Sequence, residues 1–259
     1  MSCEFGRVER NLDRAVRLLT STEAELFVLP ELFNTGYFFE SKEQVFHKAE
    51  AIPGGHTCQR LLEVSKERGC FIVAGLAERA GGAVYNSAVL VQPNGRIAVY
   101  RKIHLFSEEK LWFDPGDKPF QVVDVAGVKI GMMICFDWIF PESMRSLALL
   151  GADIVCHPAN LVLPYCQNAM VTRCLENRIF AVTANRIGFE ERNNTRLSFT
   201  GKSQITGHKG EVLLRASEDE EEVGVIDIDP GLARDKNITD YNHLLNDRRP
   251  QYYSSLKTT

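Results

Sequence analysis

This chain predicts an α/β fold in which helices cover β-sheets, and three observations point to it. Some segments carry apolar residues at helical spacing, others carry short apolar runs, and the two patterns alternate along the chain. Turn signals such as GG at 81–82 and PNG at 93–95 separate the runs. The 259 residues are 44% hydrophobic, enough for one large core, and neither a linker nor a repeat divides them, so 1–259 reads as one domain.

Val8, Leu12, Ala15, Val16 and Leu19 share a helical face, so a helix opens the chain. The run Leu26 to Leu29 is a strand stopped by Pro30. Thr57 to Arg68 forms an amphipathic helix closed by Gly69, and CFIVAGLAE, AVYNSAVLVQ and RIAVYRKI are strands. QVVDV and VKIGMMIC form a hairpin through Ala126 and Gly127. Pro141 suits the first turn of a helix running through SMRSLALL to Gly151. DIVCHPA, a helix from about Cys166 to Asn177, and IFAVTANRIG repeat the alternation; KSQITG, EVLLRAS and VGVIDID read as closing, meander-like strands.

Composition narrows the function. A net charge of -4 and a pI near 5.9 leave no basic footprint for nucleic acid. No apolar run reaches the roughly 18 residues expected of a membrane span. The start, MSCEFGRVER, has no apolar signal-peptide core, and seven cysteines without framework spacing suit reduced thiols in the cytoplasm.

Three candidate reactive residues stand where strand-like runs give way to polar sequence: Glu31 in FVLPELF, Lys102 in YRKIHLF and Cys135 in GMMICFDW. A cysteine is a nucleophile, a carboxylate can take its proton and return it to a leaving amine, and a lysine can hold an oxyanion. The three together suit attack on carbon bound to nitrogen. Plainer readings exist for each: a buried small hydrophobe for Cys135, a solvated strand-end charge for Glu31, a surface lysine for Lys102. Alternation along Val99 to Lys102 lets only one of Arg101 and Lys102 face a crevice.

The order Glu, Lys, Cys, set in LPELF, RKIHLF and ICFDWIFPE, resembles the nitrilase superfamily of carbon-nitrogen hydrolases, with matching segments from about Phe5 to the tail. The resemblance implies an α-β-β-α sandwich of two mixed sheets packed face to face, and commonly a dimer. It implies that Glu109, in RKIHLFSEEKLWF, faces the site, whereas the EEK run by itself reads as solvated charge. Arg173, Leu175, Glu176 and Asn177 resemble the family's R-x-L-E-N segment, with a structural role expected. The family commonly opens with an apolar strand, yet only MSCEFG precedes the first helix. The expectation is a native frame that begins upstream, with Met1 ending a strand; the alternative is a sheet short of one strand.

Around these residues, the backbone N–H of Phe136 is expected to complete an oxyanion hole with Lys102. Tyr37, Trp138, Phe140 and Asn160 are candidate substrate contacts, although aromatics beside motifs are more often core residues. His104 and His157 offer a Cys-His pairing, which the Glu-Lys-Cys set makes unnecessary. Cys156 and His157 point to opposite strand faces and form no metal site, and no cofactor fingerprint is present.

The expected activity is hydrolysis of small amides through a cysteine thioester, without cofactor or metal. C-F-D-W-x-F-P-E resembles amidase and N-carbamoyl amidase branches more than the C-W-E of nitrilases, so N-carbamoyl amine hydrolase and nitrilase are the alternatives. A catalytically silent binding scaffold is the alternative of another class. The tail, 230–259, mixes charges with Tyr241, Leu244, Leu245, Tyr252 and Tyr253, a composition suited to a homodimer interface.

Overall fold

The computed structural model describes residues 1–257. Two sheets form the centre. The first has the order β1-β2-β3-β4, built from β1 (Leu26–Val28), β2 (Phe71–Ala80), β3 (Ala83–Val91) and β4 (Ile97–Arg101). β1 pairs with β2 in parallel, and the other pairings are antiparallel. The second sheet contains β5 (Val122–Val125), β6 (Val128–Met132), β7 (Ile154–Ala159), β8 (Phe180–Asn185), β11 (Gln204–Thr206) and β12 (Val212–Arg215), in the order β12-β11-β8-β7-β6-β5. β6, β7 and β8 run parallel at its centre. Between β8 and β11, β9 (Phe189–Arg192) and β10 (Thr195–Ser198) form a separate antiparallel ribbon.

The period-2 alternation of β2 and β3 builds the layers. Val73, Ala88 and Leu90 point toward the second sheet and pack with Ile130, Met132, Val155, Cys156 and Ala181. Their neighbours Ile72, Ala74, Val89 and Val91 point the other way, onto Leu12, Ala15 and Leu19 of α1 (Val8–Thr20) and Leu61 and Val64 of α3 (His56–Arg68). Between these helices in the sequence comes α2 (Lys42–Lys48), capped by the Ser41 side chain, which accepts from Gln44 N–H. Gly69, at φ +63°, ends α3 in the left-handed conformation that glycine adopts without penalty. On the outer face of the second sheet, α5 (Pro141–Leu149) contributes Met144 and Leu147, and α6 (Cys166–Leu175) contributes Cys166, Met170 and Cys174. The short α4 (Glu109–Trp112) follows β4. The result is the α-β-β-α sandwich.

One expected strand does not form. VGVIDID, residues 223–229, carries no ladder; it lines a cleft of about 780 Å3 together with Leu26, Phe27 and Val28 of β1. An alternating sequence becomes a strand only where a partner edge lies within hydrogen-bond reach. Among the described residues, β1 pairs only with β2, and Met1 lines the same cleft. The tail packs through Lys236, which donates to the carbonyls of Asn177 and Arg178 at 3.0 and 2.8 Å, and through Arg234, which pairs with Asp153 at 3.0 Å. Tyr241, Tyr252 and Leu256 remain exposed; 258–259 lie outside the described residues. No described helix is long and apolar enough to cross a membrane.

Gly75 of β2 passes directly behind the turn after β1. A Cβ there would collide with Glu31 Cα and lie 2.9 Å from Leu32 N and 3.0 Å from the Pro30 carbonyl oxygen. All three are backbone atoms, which cannot turn aside. Gly75→Ala is therefore expected to cost about 1–3 kcal/mol, as overpacking does, seen as a fall of several degrees in Tm. An unchanged melt would show that the turn at Glu31 is free to shift.

Candidate active site

Glu31 sits three residues beyond β1, and β2 fixes its backbone. Leu29 N–H donates to Val73 O at 2.8 Å, Gly75 N–H to Pro30 O at 3.2 Å and Phe33 N–H to Gly75 O at 3.1 Å. Its carboxylate is fully buried. Oε1 accepts from Asn86 Nδ2 and from Lys102 Nζ, both at 2.7 Å, while Oε2 has no hydrogen-bond partner among the described residues.

Lys102 is the first residue past β4, and its N–H donates to Asn86 O at 2.8 Å. The alternation separates it from Arg101 as expected. Arg101 turns outward to Glu78 and Asp117, and Lys102 turns into the interior. Besides Glu31, its Nζ reaches both oxygens of Glu109 at 2.8 Å. Glu109, at the start of α4, is 4% exposed, so the EEK run is not uniformly solvated. It also accepts from Tyr37 OH at 2.6 Å and from Phe106 N–H at 3.2 Å.

Cys135 begins a 3-10 turn, Cys135–Ile139, between β6 and α5, with φ at +39°. A non-glycine residue there is strained, a device that aims a side chain out of a sharp strand-to-helix turn. Several contacts hold the turn. Met133 N–H donates to Cys156 O at 3.2 Å, and His157 Nε2 lies 2.9 Å from Cys135 O. A carbonyl only accepts, so Nε2 carries the hydrogen, and Nδ1 faces Thr183 Oγ1 at 3.1 Å.

The electrostatics make one unit of these groups. Burial pushes the Glu31 carboxyl above its ordinary range; Lys102 opposes that shift and Glu109 reinforces it. Burial alone would discharge Lys102, but Glu109 and Glu31 outweigh it and hold the ammonium charged. Burial raises the Cys135 thiol well above its usual value, Glu31 adds to this, and Lys102 and the Asn160 backbone amide work against it. At neutral pH the cluster thus contains a protonated thiol beside a carboxylate of raised proton affinity, an arrangement for transferring the proton during attack rather than before it.

Among the remaining candidates, Asn160 is buried, donates from Nδ2 to Glu31 O at 2.9 Å and leaves Oδ1 without a partner among the described residues. Tyr37 is half-buried against Glu109. Phe136 and Phe140 join Phe106 in an aromatic cluster, with Phe106 and Phe136 centroids 4.9 Å apart. Trp138 packs into the core, and its carbonyl accepts from Arg173 Nε at 3.2 Å. His104 turns to Asp137, with Nδ1 2.7 Å from Oδ1. Cys156 is a core residue, its thiol pushed up to about 12 by burial. Sequence reasoning missed Asn86, although a polar side chain inside the apolar run AVYNSAVLV is the signal that would have found it. No grouping of metal-ligating residues occurs among the described residues.

Comparison with known proteins follows the same lines. The family model described as carbon-nitrogen hydrolase matches residues 4–237. A nitrilase of Pyrococcus abyssi is 53% identical over 256 residues, covering 98% of this chain and 96% of that protein. An N-carbamoylputrescine amidase of Solanum lycopersicum is 33% identical, covering 95% of this chain and 88% of that protein. Among solved structures, a glutamate-to-glutamine mutant of the amidase from Nesterenkonia sp. AN1, with acrylamide added to its active-site cysteine, superposes with a TM-score of 0.82. It is 26% identical, covering 98% of this chain and 96% of that one.

The environment of His157 has a measurable consequence. Burial lowers its pKa from 6.5 to about 4. Between those values the unfolded chain binds a proton that the folded protein refuses, so stability falls as pH drops from 6.5 toward 4, by up to about 1.4 kcal/mol per pH unit. Urea denaturation of wild type and His157→Gln should show a shallower acid slope for the variant. Equal slopes would mean that His157 is charged in the fold.

Proposed function

The chain belongs to the carbon-nitrogen hydrolase family, and from this premise we propose that it hydrolyses small amides through a thioester on Cys135, with Glu31 as base and then acid and Lys102 as oxyanion donor. The observation that carries the reading is Glu31 Oε2, a buried carboxylate oxygen without a hydrogen-bond partner among the described residues, in a cluster where the other carboxylate oxygens are engaged. Such an oxygen is free to take a proton.

In the proposed reaction, Sγ attacks the amide carbon as its proton passes to Glu31 Oε2. The developing oxyanion is held by Lys102 Nζ and the Phe136 N–H. Nζ already faces three carboxylate oxygens, so it serves the oxyanion by releasing one oxygen of Glu109, which keeps Tyr37 OH and Phe106 N–H as partners. Collapse breaks the C–N bond, and Glu31 gives its proton to the departing nitrogen. Glu31 then takes a proton from water, the hydroxide adds to the thioester, and the second collapse frees the carboxylic acid and returns the proton to the thiolate. One group acts twice as base and twice as acid, which a raised carboxyl pKa suits.

The 53% identity to a protein named nitrilase favours testing nitriles as a second substrate class. In a panel of amides, nitriles and N-carbamoyl amines, carbamoyl substrates release ammonia and carbon dioxide together, whereas amides and nitriles release ammonia alone. We also propose a homodimer joined through the tail, where Tyr241 and Tyr252 are exposed, and a reducing, cytoplasmic setting for the seven free cysteines. Light scattering at micromolar concentration is expected to report a dimer or a multiple of one. A monomer would remove the interface.

The three residues should fail at different steps. Cys135→Ala is expected to abolish turnover and any covalent adduct, and Lys102→Ala to slow acylation roughly a hundredfold to a thousandfold. Glu31→Gln should nearly abolish amide turnover, yet with an activated ester it should accumulate an acyl adduct on the Cys135 peptide that decays more slowly than in wild type. Mass spectrometry decides. An adduct on another cysteine, or undiminished turnover by Glu31→Gln, would sink the assignment.

A further inference from the structure

Asp137 lies two residues after Cys135, fully buried, and among the described residues no lysine or arginine pairs with it. Its carboxylate instead collects four donors. Oδ2 accepts from Tyr100 OH and from Ile134 N–H, both at 2.8 Å, and Oδ1 from His104 Nδ1 at 2.7 Å and from His104 N–H at 3.3 Å. Because a carboxylate only accepts, His104 carries its hydrogen on Nδ1.

The origin of those donors gives the cluster its meaning. Ile134 immediately precedes Cys135. Tyr100 and His104 stand two residues before and two residues after Lys102, and Tyr100 OH also accepts from Ile103 N–H at 3.3 Å. A single carboxylate therefore grips the segment bearing Lys102 on both sides and the strained turn bearing Cys135 and Phe136. Among the described residues, no backbone-to-backbone hydrogen bond joins those two segments directly. We propose that Asp137 is a positioning residue that fixes the separation between the two oxyanion donors, Lys102 Nζ and Phe136 N–H. The proposal rests on the thioester reading above.

The chemistry requires a carboxylate rather than an amide. In Asp137→Asn, one oxygen becomes an NH2 donor. Facing the Oδ2 partners, it meets Ile134 N–H donor to donor, although the Tyr100 hydroxyl can rotate to accept. Facing the Oδ1 partners, it meets His104 N–H, although the imidazole can change tautomer. Either way one backbone N–H loses its acceptor and one of the two segments is released. The packing volume is unchanged, so the fold should survive while donor alignment is lost.

The test separates nucleophile from oxyanion hole. Alkylation of Cys135 by chloroacetamide displaces chloride at a saturated carbon and builds no oxyanion, so its stoichiometry counts folded, reactive sites. Per labelled site, Asp137→Asn is expected to lose roughly tenfold to a hundredfold in kcat for an amide, with KM and the alkylation rate each within about threefold of wild type, as for misplacement of an oxyanion donor. A kcat within threefold of wild type overturns the proposal, as does a loss matched by an equal loss of alkylation rate, which would signal a merely structural role. If Asp137→Asn does not fold, His104→Phe decides: it keeps the ring stack on Phe140, at 3.8 Å, and removes the Nδ1 donor. That variant should lose at least about fivefold in kcat with alkylation retained, and an unchanged kcat overturns the proposal. Failure of the thioester reading looks different, because chloroacetamide would then label a cysteine other than Cys135 in wild type, or Cys135→Ala would keep turnover.

Discussion

The Lys102 ammonium is enclosed between the carboxylates of Glu31 and Glu109, with no exposed side-chain surface on Lys102 or Glu31 and 4% on Glu109. An isolated charge in that position would be discharged or would unfold the site, and removing one partner of such a pair typically costs about 3–5 kcal/mol. Each member is therefore required by the others. The strand end bearing Lys102, the turn bearing Glu31 and the short helix opening at Glu109 can come together only in an arrangement where all three charges meet, so this ion cluster ties the first sheet to its flanking loops.

Two carboxylates against one ammonium also leave the buried cluster one negative charge in excess. Burial raises the proton affinity of Glu31, and burial together with that surplus charge keeps the neighbouring thiol protonated. For the proposed reaction this balance is useful, because a thiolate formed in advance would be stabilised by Lys102 and would give up part of its nucleophilic strength. A proton moved at the moment of attack leaves the lysine free to respond to charge that develops on the substrate.

Around the ion cluster, neutral groups set positions and supply no net charge. Asn86 holds Glu31 Oε1, Tyr37 holds Glu109, and His157 donates to the carbonyl of Cys135. Asp137 is the charged exception, but it meets four donors and, among the described residues, no lysine or arginine. Gly75 serves the same end by absence, since its missing side chain lets β2 lie against the backbone of Glu31. Rigid placement of a few reactive atoms thus draws on residues spread over both sheets.

The sequence alone determined which elements form and which reactive residue types end them. Period 2 and period 3.6 are local properties, and they placed helix α1, strands β2 and β3, and the opposed directions of Arg101 and Lys102 without knowledge of the rest. Motif order added Glu31, Lys102, Cys135 and Glu109. Only the tertiary structure decided what those residues touch, because the contacts join positions far apart: Asn86 and Glu31 are 55 residues apart, Tyr37 and Glu109 are 72, and Asn160 and Glu31 are 129. It also decided against a strand at VGVIDID, whose alternation is plain in sequence but which pairs with no described strand. Periodicity reports which face of a residue is buried; hydrogen-bond partners and ladder edges are set by the packing of distant segments, and no local pattern encodes them.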